Sequence, residues 1–382
     1  MNRDGAPLVL VCKGPIEALP PALSLAMLLS GLGPRVHLVC STIEECNRAS
    51  LQSLGVTVSD VGPHGFLPAN AIRKVIYWAR FHDAAWSAIG RISSQPMLWI
   101  ASGDTALCLG PKLRRGRYVL QLNELYDKRL LYRRGLASYA RSAGCVVVPE
   151  PNRAAIVRSW YQLDKTPTLL PNKPSFHPRA RVELSQVQRT FLPLLSLSPA
   201  ERVVLYQGHI GFDRNLLPVA QAISSLGEGW RFLLMGTDHG LLARLRRACP
   251  SLLHIPYVAP PAHLLVTAIA RIGVLAYDFS SLNNIFCAPN KVWEYSGYGI
   301  PMLAQNLPGL TALFERFGAG RCVPFDGTSN IRQALAEVDS NYDRYHDAST
   351  ALFESEDSPR TVAGILSMLE GRSTNDNREP LC

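Results

Sequence analysis

Two short stretches of the chain hold residues whose types and spacing could bind a charged, hydroxyl-bearing ligand. The first is Gln207-Gly208-His209-Ile210-Gly211-Phe212-Asp213-Arg214-Asn215, which follows an apolar run and leads into a helical pattern. Glycine lets backbone approach a ligand closely, a helix start favours an anion, and Arg214 adds a fixed positive charge. The competing reading is a flexible turn with a surface arginine. The second is Cys287-Ala288-Pro289-Asn290-Lys291-Val292-Trp293-Glu294-Tyr295. Asn290 and Glu294 are four apart and share a helix face, with Lys291 beside them. A lysine there can meet phosphate oxygens, and a carboxylate can accept from ribose hydroxyls. The same residues also read as an Asn N-cap with a glutamate near the favourable end of the helix, and capping and binding are compatible.

Other chemistries leave no trace. The nine histidines form neither H-x-x-x-H nor H-E-x-x-H, and the nine cysteines contain no C-x-x-C, so no metal site is expected. There is no Gly-x-Ser-x-Gly elbow and no Walker loop. Several cysteines sit inside apolar runs (Val11-Cys12, Val39-Cys40) and read as reduced thiols, which places the chain in a reducing, cytoplasmic compartment.

The elements that must position these residues are two successive strand–helix alternations. In 382 residues, 47% hydrophobic and 18% charged, two domains are the natural expectation at roughly 100–200 residues each. Apolar runs at 8–12, 35–40, 56–61, 97–101, 118–122, 145–148 and 168–170 predict strands buried on both faces, as in parallel sheets covered by helices. An amphipathic helix is predicted over 69–92. The apolar stretch 18–33 follows the first strand and predicts a buried helix, not an export signal or a membrane span. Strands disappear over 175–200, which reads as a linker. They resume at 202–206, 231–235, 254–257, 273–277, 301–304 and 320–324, and 329–369 is helical with a polar end from Arg372. The expected division is an N-terminal Rossmann-like domain over 1–185 and a C-terminal one over 186–350. Residues 351–382 pack back on the first. The expected fold class is α/β, with the two domains facing each other across a cleft.

The formal charge of +9 suits a phosphate-bearing ligand, an anionic membrane surface or a nucleic acid, and does not choose among them. Lys112, Arg114, Arg115, Arg117, Lys128, Arg129, Arg133, Arg134 and Arg141 cluster in the first half. A basic helix over 127–141 carrying Leu130, Leu131, Tyr132 and Leu136 could lie on anionic lipid, or simply face water. Nucleic acid is not an expected partner, because basic residues are not interleaved with aromatic ones in the manner of single-strand binders.

Tyr206-Gln207-Gly208 with Arg214, Met235-Gly236, Pro289-Asn290-Lys291 with Glu294-Tyr295, and Gly299-Ile300-Pro301 resemble the donor-binding domain of GT-B glycosyltransferases. Among these they most resemble the bacterial, retaining group called glycosyltransferase family 4. Glu150-Pro151-Asn152-Arg153-Ala154 and Leu170-Pro171-Asn172-Lys173-Pro174 are similar to stretches of bacterial members. The resemblance covers about 8–326. It implies a nucleoside-diphosphate sugar of UDP or GDP type as donor, with no cofactor and no metal. A saccharide or lipid-linked saccharide is the implied acceptor, in surface-polysaccharide assembly at or near the inner face of the membrane. By position, Arg214 and Lys291 would hold the diphosphate and Glu294 the ribose. Gly208, His209, Gly236 and Asn290 would lie about the donor, and Tyr257 and Val258 beside the base. On the acceptor side, Gly14, Glu17, Asp104, Asn123 and Glu124 follow strands, and Glu124 is the foremost general-base candidate; Glu17 and Asp104 also read as ordinary first-turn helix residues. Asp278, Ser280, Ser281, Asn283 and Asn284 form a polar loop that would touch the donor sugar or face solvent. Two positions depart from the family pattern: Phe286 stands where its first glutamate would be, and His209 where an arginine is common. The alternatives left open are a nucleotide-sugar epimerase of the same fold and a non-catalytic nucleotide-sugar-binding scaffold.

Overall fold

The structure is a computed structural model that describes residues 6–63 and 71–371. The expected helix start at Ala69 and the polar end from Arg372 lie outside the described residues. Unit 1 runs to Pro171 and resumes at Asp357; unit 2 is Asn172–Glu356.

Unit 1 is built on β1 (Leu8–Pro15), β2 (Val36–Thr42), β3 (Thr57–Asp60), β4 (Met97–Ile100), β5 (Tyr118–Gln121), β6 (Cys145–Val148) and β7 (Thr168–Leu169). They form one sheet in the order β3-β2-β1-β4-β5-β6-β7, every pairing parallel. Unit 2 is built on β8 (Arg202–Gln207), β9 (Trp230–Met235), β10 (Leu253–Ile255), β11 (Ile272–Leu275), β12 (Met302–Gln305) and β13 (Gly320–Val323). Its order is β10-β9-β8-β11-β12-β13, again parallel throughout. Both are Rossmann-like, doubly wound sheets. The order of winding reverses between β1 and β4 in unit 1 and between β8 and β11 in unit 2, and ligand crevices open at the carboxyl ends of such strands.

The apolar runs form strands because helices cover both faces of each sheet. Along β8, Val203 and Leu205 enter one core cluster and Val204 and Tyr206 enter the other, all buried. Short helices that the sequence reading passed over complete the cover, including Glu45–Ser53, Gly103–Leu109, Leu242–Ala248 and Pro308–Phe317.

The stretch read as a linker is part of unit 2. The helix Leu184–Thr190 and the 3-10 turn Leu192–Leu194 bury Val187, Leu194 and Leu197 in its core. Arg181 donates to the carbonyls of Ala268 (3.2 Å) and Ala270 (2.7 Å). The division between units therefore falls at Pro171–Asn172 rather than near 185. The helical end of the chain is shared: Thr328–Ser340 and Tyr342–Glu354 belong to unit 2, and Ser358–Leu369 to unit 1. Val362, Ile365, Leu366 and Leu369 join the core of unit 1, and Leu369 lies so near Gly144 that an added Cβ there would sit 2.6 Å from its Cδ2. Among the described residues no helix is long and apolar enough to cross a membrane.

Leu366 is fully buried in unit 1. Leu366→Ala is expected to cost about 2–5 kcal/mol. Urea denaturation followed by hydrogen exchange should show the loss in unit 1 amides, with the unit 2 amides unchanged.

Candidate functional site

In unit 2 the end of β8 leads through Gln207 into Gly208, whose φ of +124° suits glycine. Gly236, after β9, also has a positive φ, and an added Cβ there would lie 1.9 Å from Gly208 O. The two turns can stack only because both residues are glycine. Above Gly208 sits Lys291, whose Nζ would be 3.2 Å from a Cβ built on that glycine.

Arg214 and Lys291 converge on aromatic rings. Lys291 Nζ lies 4.4 Å from the ring centre of Tyr206 and 5.3 Å from that of Tyr277; the Arg214 guanidinium lies 4.7 Å from the same Tyr277 ring. Arg214 Nη1 is 3.1 Å from Asp213 Oδ2, at an angle that attracts without forming a hydrogen bond. Among the described residues, Lys291 is in no ion pair. Burial, then repulsion from Arg214, pushes the Lys291 ammonium down to about 7; Glu294 and Cys287 partly oppose this.

Glu294 is held from three sides. His263 Nε2 lies 3.2 Å from its Oε1, and Gln207 Nε2 donates to its Oε2. Thr267 Oγ1 donates to Gln207 Oε1 at 2.8 Å, and the backbone carbonyl of Glu294 bonds the His177 ring at 3.0 Å. Burial alone would raise the carboxyl, but His263, Lys291 and Gln207 outweigh it and hold Glu294 below the usual carboxylate range. Asn290 opens the short helix Asn290–Ser296 but does not cap it: Pro289 occupies the N-cap position and no side chain bonds the free amides. The capping reading of Asn290 is thereby corrected.

His209 stacks beside His239, ring centres 4.1 Å apart, with its Nε2 3.2 Å from Asp213 Oδ1. Burial lowers its pKa, Asp213 pulls the other way, and His239 adds to the lowering. Tyr257 is exposed and Val258 half-buried after β10. Asp278 Oδ1 accepts from Ser280 Oγ (2.5 Å), Ser280 N (3.1 Å) and Asn284 Nδ2 (2.6 Å), so the loop after β11 is braced from within.

The structure thus gathers Gly208, Gly236, Arg214, Lys291 and Glu294 at the carboxyl ends of β8, β9 and β11. Sequence reasoning missed His263 and Thr267, which arrive on the separate helix His263–Thr267 and follow no spacing rule relative to Glu294. Gln207 left one signal, a polar residue ending an otherwise buried apolar strand.

In unit 1, Gly14 has a φ of +116° and its amide donates to Ser41 Oγ at 3.0 Å. Glu17 is buried, and its Oε1 accepts from Glu44 N (2.8 Å) and Asn47 Nδ2 (3.0 Å), which makes it a brace for the helix Glu45–Ser53. Asp104 Oδ2 lies 3.7 Å from Lys13 Nζ. The Asn123 carbonyl accepts from Arg153, and its Oδ1 from Gln121 Nε2 at 3.2 Å. Glu124 is exposed.

No family model matches the chain, and no curated protein matches it in sequence. Its fold does match solved structures. HepE of Anabaena in complex with UDP-glucose superposes with a TM-score of 0.71 at 10% identity, covering 96% of this chain and 100% of that one. A glycosyltransferase from Rickettsia africae gives 0.70 at 11% identity, covering 98% and 100%. The sucrose-phosphate synthase of Thermosynechococcus elongatus gives 0.68 at 15%, covering 97% and 100%. The two Rossmann-like units are those of the GT-B fold.

A lysine that deprotonates near pH 7 when folded and near 10.5 when unfolded leaves the unfolded chain with more bound protons between those values. The contribution of Lys291 to stability then rises with pH across that window. Chemical denaturation of the chain and of Lys291→Met from pH 7 to 10 is expected to show a stability difference in unit 2 that shifts in favour of the unsubstituted chain as pH rises; a difference independent of pH would contradict it.

Proposed function

We propose that the chain is a GT-B glycosyltransferase that takes a sugar from a UDP- or GDP-type donor. The observation that carries the reading is the convergence of Arg214 and Lys291 over Tyr277, with Asp213 beside Arg214 and Glu294 held by His263 and Gln207. A diphosphate would meet both cations, and its ribose hydroxyls would donate to the fixed carboxylate of Glu294. Gly208 and Gly236 leave backbone where phosphates need close approach. The structural neighbour solved with UDP-glucose has the same fold, which supports this donor class.

As the sugar–phosphate bond breaks, negative charge grows on the leaving diphosphate. Fixed cations stabilise it, each worth about 10²–10³ in rate. No side-chain nucleophile is required: the leaving phosphate can take the acceptor proton on the face it departs from, which retains the anomeric configuration. Retention therefore does not depend on a carboxylate at the position held by Phe286. We assign the acceptor to the saccharides, free or lipid-linked, of bacterial surface-polysaccharide assembly, and the enzyme to the family 4 group. For lipid-linked acceptors, Leu130 and Leu131 are exposed at the start of the helix Leu130–Ser142 beside exposed Arg129 and Arg134, an apolar tip ringed by cations that suits anionic lipid.

Thermal shift against UDP, GDP, dTDP, ADP and CMP with their sugars tests the donor site, since a ligand of the native state raises the melting temperature by mass action. A shift with UDP or GDP, unchanged by EDTA and lost in Glu294→Ala, is the expected result; no shift with any nucleotide overturns the reading. Turnover of donor without acceptor, yielding an epimer, would assign the site to an epimerase instead. In the same spirit, sedimentation with phosphatidylglycerol vesicles but not phosphatidylcholine vesicles is expected, and Leu131→Glu should release the protein.

A further inference from the structure

At the crevice between β1 and β4, three buried side-chain atoms of unit 1 have no hydrogen-bond partner: Lys13 Nζ, Asp104 Oδ1 and Tyr132 Oη. Unsatisfied buried polar atoms are costly, and three in one neighbourhood call for an explanation. They belong to one cluster. Lys13 Nζ is 3.7 Å from Asp104 Oδ2 and 4.5 Å from the ring centre of Trp78. Trp78 meets Tyr132 edge to face at 6.4 Å, and Tyr132 meets Tyr126 at 4.9 Å. The Lys13 side chain is 1% exposed, whereas that of Asp104 is 32% exposed.

The cluster is held rigidly. The amide of Lys13 donates to Thr105 Oγ1 (3.0 Å) and that of Gly14 to Ser41 Oγ (3.0 Å), which fixes the carboxyl end of β1 from both neighbouring segments. Tyr77 Oη in turn donates to Ser41 Oγ. Tyr126 sits at φ +55°, a left-handed backbone for a bulky residue, and its ring packs against Gly103. Strain of this kind persists where surrounding structure over-determines a position, and it gathers at ligand sites. Beside Gly14 there is open space: a Cβ built there meets nothing within 4 Å.

The charge balance selects the ligand. Asp104 already matches the Lys13 charge, so an added anion would unbalance the site and an added cation would do the same. A hydroxyl group both accepts from an ammonium and donates to a carboxylate, so one alcohol can satisfy Lys13 and Asp104 together. Aromatic walls with a few convergent polar groups are the makeup of small-molecule sites, and the rings suit the apolar faces of a pyranose.

We propose that Lys13, Asp104 and Tyr132, walled by Trp78 and Tyr126, form a binding site for an uncharged sugar whose hydroxyls bridge the three unpartnered atoms. The position of Lys13 fits this role: burial pushes its ammonium down and Asp104 holds it up, so the pair is sensitive to what joins it. For the further statement that this sugar is the acceptor, the site rests on the transferase reading; its binding does not.

Saturation-transfer NMR and tryptophan fluorescence with methyl α-D-glucopyranoside, methyl α-D-mannopyranoside, methyl β-D-galactopyranoside and N-acetylglucosamine test it, with glucuronate and glucose 1-phosphate as charged probes. Millimolar binding of at least one neutral sugar is expected, weakened about tenfold or more in Asp104→Asn and Tyr132→Phe. Tyr132→Phe removes one oxygen and keeps the ring, so it decides the matter should Lys13→Met fail to fold. Binding of charged sugars alone, no binding of any sugar, or binding indifferent to these substitutions overturns the proposal. Nucleotide thermal shift on the same samples separates the two readings. A nucleotide shift without sugar binding sinks this site alone, and sugar binding without a nucleotide shift sinks the donor reading alone.

Discussion

Arg214 and Lys291 repel each other, and the end of unit 2 where β8 and β11 part is arranged around that repulsion. Both charges are drawn partly out of water, which is unfavourable unless something replaces the lost hydration. Tyr206 and Tyr277 present ring faces at 4.4–5.3 Å, a replacement worth about 0.5–2 kcal/mol per contact. Asp213 offsets one cation and leaves the other with no ion pair among the described residues. The outcome is visible in Lys291, which burial and its neighbour push down to about 7. A dianion seated there would oppose the repulsion from Arg214 and favour the charged form of the lysine.

The glycines and the glutamate make sense against that background. Lys291 stands over Gly208, and Gly236 tucks its backbone against the same residue, so two strand ends present bare peptide to the cations. Glu294 lies four residues from Asn290 on the next helix and could have neutralised Lys291 outright. It is instead held by His263 and by Gln207, which Thr267 orients. These partners and Lys291 together keep the carboxylate ionised. Acceptor and donor groups for a hydroxylated anion therefore coexist within one helix turn.

Much of this could be read from the chain because the informative residues are local. Strands buried on both faces betray themselves as unbroken apolar runs, and Lys291 with Glu294 needs only helical spacing to be seen as one surface. What escaped reading depends on contacts distant in sequence. His263 reaches Glu294 from another helix, and nothing in the residues between them records it. Glu17 looks like a free acid after a turn until Asn47 and the amide of Glu44 close on it. The stretch from Ser175 to Ala200 looks like a linker because it holds several prolines and basic residues and no strand-like run, yet Val187, Leu194 and Leu197 enter the core of unit 2. The helix Ser358–Leu369 is expected from the sequence to pack back on the first domain, and its apolar face of Val362, Ile365, Leu366 and Leu369 enters the core of unit 1.

The two units share one plan and differ in charge. Each places its candidate residues where the winding of a doubly wound sheet reverses, about the carboxyl end of the unit's first strand. Unit 2 sets two mutually repelling cations there, with Asp213 beside Arg214 and Glu294 braced by His263 and Gln207; unit 1 sets one buried cation and one carboxylate, 3.7 Å apart, among three aromatic rings. The first arrangement suits an anion that meets both cations, and the second is incomplete only in hydrogen bonds. Geometry common to both sheets supplies the crevice, and the balance of charge at the strand ends decides whether a phosphate or an uncharged hydroxyl completes it.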